Sequence, residues 1–144
     1  MPDTSNTSPW TNPVQAILLA FPVALFTTAL ATDIAYLRSQ ELQWTNFSAW
    51  LIAGGVLFTG LVLAWALVAV VRAVPRGDGR RPVVYAGVLA ALLVVGLLNA
   101  FQHSRDGWSS VGVFGLVLSV VSSALALSAA VIAHTRLFSE EVAR

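Results

Sequence analysis

The sequence predicts an all-α polytopic membrane protein, a four-helix bundle with both termini on the cytoplasmic side. Three observations lead there. The composition is 57% hydrophobic and 10% charged, where a soluble domain carries roughly a quarter charged residues, and the mean hydropathy is +0.77. Four apolar runs each approach the roughly 20 residues that carry a helix across a bilayer. Arginine, the source of all eight basic side chains, is divided unevenly between the connections.

Taken in order, residues 1–15 are a polar tail rich in Ser, Thr, Asn and Pro, too poor in apolar surface to order itself. Span one is expected over 16–37. Its Pro22 lies within the first two turns, where a missing N–H costs least. Ala29-Leu-Ala31 has the form of a signal-peptide cleavage site, but no Lys or Arg precedes it, so the segment is read as a retained span. Span two is expected over 47–71. The connection Val74-Pro-Arg-Gly-Asp-Gly-Arg-Arg-Pro82 follows, with two prolines and two glycines that break helix. Span three is expected over 83–101 and span four over 111–133, leaving a charged tail at 138–144.

Orientation follows from the arginines, because positive charge resists translocation. With an even number of spans, the tails share a side with Arg72, Arg76, Arg80 and Arg81. Adding Arg136 and Arg144 places six arginines there, against Arg38 and Arg105 opposite. That side is predicted cytoplasmic, in a bacterial inner membrane. Tyr36, Trp44, Phe47, Trp50 and Trp108 fall at the outer span ends and Trp65 and Tyr85 nearer the inner side, as interfacial anchors would.

Helices in lipid pack through small residues that let backbones approach. Gly112, Gly115, Ser119, Ser122, Ala126, Ala129 and Ala133 alternate three- and four-residue spacings, one seam along span four. Shorter versions are Ala20, Ala24, Thr27 and Ala31 in span one and Gly55, Thr59 and Ala66 in span two.

Candidate chemistry gathers at the outer side. Asp33 ends span one there, and span three delivers Asn99 and His103, one helical turn apart, with Arg105 and Asp106 after them. An ionisable group in a span costs about 2.5–3.5 kcal/mol at mid-membrane, so Asp33 needs a partner. Arg105 is the expected one, stapling spans one and three. The cluster could equally take a proton, a cation or a small polar ligand.

Other chemistries are poorly served. Without cysteine there is no disulfide, thiolate metal site or covalent haem. His103 and His134 end different spans on opposite sides, roughly 30 Å apart in depth, too far to share one iron. No catalytic or phosphate-binding motif occurs, and a net charge of +1 gives no basic face for nucleic acid. No metal and no cofactor are predicted.

Phe21-Pro-Val-Ala-Leu-Phe, Asp33, the stretch Asn99-Ala-Phe-Gln-His-Ser-Arg-Asp-Gly-Trp108 and Leu118-Ser119 together resemble the bacterial membrane proteins called domain of unknown function 2231. The likeness runs from about Gln15 to Leu137 and implies a four-span inner-membrane protein without an assigned activity. Members often carry His-Pro where this sequence has Gln15-Ala16. The expected function is a non-enzymatic structural or assembly module that associates with itself or another membrane protein through the span-four seam, with the lipid bilayer as its surroundings. The alternative is a small transporter or proton- or ion-binding protein using Asp33, Asn99, His103 and Arg105. A haem or quinone redox carrier ranks third.

Overall fold

The computed structural model describes residues 13–77, 80–105 and 111–142. Four helices fill them: α1 (Pro13–Ser39), α2 (Leu42–Ala73), α3 (Arg80–Ser104) and α4 (Val113–Val142), with one short 3-10 turn, Val74–Arg76, after α2. All four are long and apolar enough to cross a membrane. They form an antiparallel bundle in which α1 packs on α2 and α4, and α3 packs on the same two neighbours. Helices α1 and α3 therefore face each other across the diagonal.

The helices outrun the expected spans. Leu42 opens α2, so only Gln40 and Glu41 separate it from α1. Helix α4 continues to Val142, through much of the segment expected as a charged tail. Hydropathy marks where a chain leaves hydrocarbon, and helix persists until something breaks it. Neither 42–46 nor 134–142 contains proline or glycine. At the α1–α2 turn Gln40 adopts the left-handed region, φ 58°. Its N–H donates to the Tyr36 carbonyl at 2.7 Å and its side-chain amide to the Leu37 carbonyl at 3.2 Å. Tails 1–12 and 143–144, and the residues Asp106 and Trp108, lie outside the described residues.

The buried faces follow alternating spacings of three and four, the pattern of knobs-into-holes packing. In α1 the face is Gln15, Leu19, Pro22, Phe26, Ala29, Asp33 and Tyr36. In α3 it is Tyr85, Leu89, Leu92, Gly96, Asn99 and His103. The exterior is apolar: Trp50 is 74% exposed, Val71 72% and Phe101 67%, a surface suited only to lipid.

This arrangement corrects two expectations. Ala20, Ala24 and Ala31 of α1 are exposed and Thr27 only half-buried, because that helix turns its large side chains inward. Phe26 is the reason: it occupies the space left by Gly55 and Gly96. A Cβ at Gly55 would sit 2.9 Å from its ring, and one at Gly96 3.0 Å from it. Tyr36 and Tyr85 are core residues, not interfacial anchors, whereas Trp44 and Phe47, with ring centroids 6.2 Å apart, remain exposed near the α1–α2 turn. The span-four seam is buried from Gly115 to Ala129, with Ala133 half-buried and Gly112 exposed. It packs against α1 and α3 of its own chain: Ala126 joins Phe26, Ala29 and Leu92, and Ala129 joins Leu19 and Leu89.

Candidate functional site

The core has two unlike halves. Toward the end where α1 begins and α4 ends, it is lined mainly by Leu19, Val62, Ala66, Leu89 and Ala129, with Gln15 and Tyr85 as its buried polar side chains. Phe26, Ile52 and Leu92 close the middle. Toward the opposite end the buried residues are Thr32, Asp33, Thr45, Ser48, Asn99, His103, Ser119, Ser122 and Ser123.

Asp33 stands at the centre of that polar half with no solvent exposure. Its carboxyl group meets one polar side chain from each of the other three helices. Ser48 Oγ of α2 donates to Oδ1 at 2.5 Å, and Ser119 Oγ of α4 donates to Oδ2 at 2.5 Å. His103 Nε2 of α3 lies 3.0 Å from Oδ1, the only ion pair among the described residues. Arg105, the expected partner, is exposed and makes no such contact. It follows Ser104, where α3 ends, so its side chain leaves the bundle while His103, on the buried face of the last turn, enters it.

Further bonds fix each donor. Asn99 Nδ2 donates to Ser119 Oγ at 3.0 Å, which directs the serine's single proton to Asp33. Thr32 and Ser48 hydroxyls lie 2.7 Å apart, and Thr32 also reaches the Ala29 carbonyl at 2.8 Å. Ser123 Oγ lies 2.8 Å from the Ser119 carbonyl and 3.0 Å from that of Phe26, tying α4 to α1 one turn deeper.

Proton bookkeeping at His103 is restrictive. Its Nδ1 lies 3.0 Å from the Asn99 carbonyl oxygen, an acceptor only, so Nδ1 carries a proton. Nε2 then faces Asp33 with either a second proton or a lone pair. With Asp33 ionised, Nε2 must be protonated; with neutral His103, the carboxyl must donate. Either way one proton lies between the two groups. Its removal would set a carboxylate oxygen against a nitrogen lone pair.

Asn99 Oδ1 and Ser122 Oγ, both fully buried, have no hydrogen-bond partner within the chain. His134 is exposed at the far end of α4, its Nδ1 donating to the Ala130 carbonyl at 2.8 Å, consistent with the expected separation of the two histidines. Among the described residues no group of three His, Cys, Asp or Glu side chains could hold a metal.

Sequence reasoning found Asp33, Asn99 and His103, and placed Ser119 and Ser122 in the seam without assigning them to the cluster. It missed Thr32, Ser48 and Ser123. Ser48 had a signal: stepping back from Gly55 by three and then four residues reaches it on the same face.

The family model described as predicted membrane protein (DUF2231) matches residues 11–136, a stretch containing all four spans and the cluster. No curated protein matches the chain. No solved structure matches it either.

Proposed function

The chain belongs to the DUF2231 family of predicted membrane proteins, and on the geometry of its core we propose that it is a non-enzymatic proton-binding module. The Asp33–His103 pair is the site, taking up and releasing the single proton between them. The observation that carries this reading is the convergence of three helices on a carboxylate carried by the fourth. Such a carboxylate senses the position of every helix, so its protonation and the packing of the bundle are linked.

A purely structural staple would not need what surrounds it. Unpartnered buried polar atoms cost on the order of 1–3 kcal/mol each, and Asn99 Oδ1 and Ser122 Oγ stand beside the pair. Leucine or alanine there would hold the helices together at less cost. The apolar middle of the core, closed by Phe26, Ile52 and Leu92, favours binding over conduction, since it separates the Asp33 cluster from the buried Gln15 and Tyr85 near the other end. The arginine distribution supports a bacterial inner membrane with both chain ends cytoplasmic, which turns the polar half outward.

Infrared difference spectroscopy on protein in phospholipid vesicles tests the reading. A pH step should produce a carboxyl band that is absent in Asp33→Asn and displaced in His103→Gln. Identical spectra from wild type and Asp33→Asn would sink it.

A further inference from the structure

A cleft of about 440 Å3 opens at the end of the bundle away from Asp33, between the first turns of α3 and the last membrane turns of α4. Its lining is Arg80, Arg81, Val84, Ile132 and Thr135. We propose that it binds one anionic phospholipid, with the headgroup phosphate on Arg80 and Arg81 and the start of an acyl chain along Val84 and Ile132.

Both walls grade in the same sense. On α3, Arg80 lies at the helix start and Val84 one turn deeper; on α4, Thr135 lies at the end of the span and Ile132 one turn deeper. Each wall thus runs from polar at the water side to apolar at the hydrocarbon side, the profile of an amphiphile lying along the bundle. A soluble anion would use the arginines and leave the aliphatic part unfilled.

Charge favours the same occupant. Among the described residues neither arginine has an ion-pair partner and none of the lining side chains is acidic. Helix α3 has no acidic residue in its first turn, and the positive end of its dipole adds to the field on a phosphate. Guanidinium forks suit phosphate oxygens. The volume lies within the range of small-molecule clefts.

Native mass spectrometry of the detergent-released protein can count bound lipids during titration with phosphatidylglycerol or phosphatidylcholine. One tightly held phosphatidylglycerol is expected, preferred about 30-fold, the equivalent of about 2 kcal/mol for two basic side chains. Arg80→Gln/Arg81→Gln should abolish the preference, and Arg72→Gln/Arg76→Gln should retain most of it, with helix content by circular dichroism confirming both folds. Equal binding of the two lipids by wild type would overturn the proposal without need of any variant. Equal losses in the two double variants would replace the cleft with diffuse surface charge. Displacement of the lipid by millimolar inorganic phosphate would reduce the site to a simple anion site and overturn the lipid assignment.

Discussion

Replacing His103 by alanine removes one donor from Asp33 and leaves a carboxylate buried among serines. Breaking a buried pair in this way costs about 3–5 kcal/mol, because the remaining charge has no solvent to turn to. Asp33→Asn is neutral and nearly isosteric, and should cost less, about 1–3 kcal/mol for the mismatched hydrogen bonds. The double variant Asp33→Asn/His103→Gln should therefore be more stable than His103→Ala alone, by denaturation in mixed micelles. Additive losses would mean that the two side chains do not share a proton. Arg105→Gln is the contrasting case. Its exposed side chain makes no bond to Asp33, so stability and the infrared response to pH should both match wild type.

At the scale of the helix, the seam of α4 packs within its own chain, so a substitution there should be felt first as a loss of stability. Ser122 has no exposure, so Ser122→Leu forces two extra heavy atoms into a packed face, an overpacking cost of about 1–3 kcal/mol. The expected result is a lower melting temperature at an unchanged solution mass in detergent. A change of mass without loss of stability would restore the assembly reading. Phe26 and its two glycines give a sharper test. Gly96→Ala places a Cβ 3.0 Å from Phe26 Cζ and 3.1 Å from Val56 Cγ2, and the fully buried Phe26 ring has little room to give. Gly96→Ala should destabilise, and Phe26→Leu should rescue part of that loss while costing stability by itself. These elements also mark how far the sequence could be read. The seam of α4 was legible because small residues at alternating spacing have few other uses in lipid. The inward face of α1 was not, because the same rule points to Ala20, Ala24 and Ala31, and only the glycines on α2 and α3 explain why Phe26 faces in. Asp33 and His103 could be found as polar residues in apolar runs. Their pairing could not, since Arg105 stands two positions from His103 and only the end of α3 decides which of the two enters the bundle.

For the whole molecule, the division of the core sets the direction from which a proton can arrive. From Asp33 toward the α1–α2 turn the interior offers Thr32, Thr45 and Ser48; toward the opposite end it meets Phe26 and then Leu19, Val62 and Leu89. A proton crossing that second region would meet only neutral side chains, the Thr59 hydroxyl and, near the far end, Gln15 and Tyr85, and a bare charge in hydrocarbon costs many times the thermal energy. Exchange with Asp33 should therefore be one-sided. On the proposed orientation, in which the four arginines at positions 72–81 keep their connection in the cytoplasm, that side is the outer one. In vesicles of uniform orientation, an abrupt change of pH on the face of the α1–α2 turn should produce the Asp33 carboxyl band at once. The same change on the other face should produce it only as the gradient dissipates. Phe26→Ala opens the middle of the core, and should speed the slow response while leaving the fast one in place. Equal rates from both faces in the wild type would mean that the apolar half is no barrier, and the protein would have to be reconsidered as a conductor of protons rather than a holder of one.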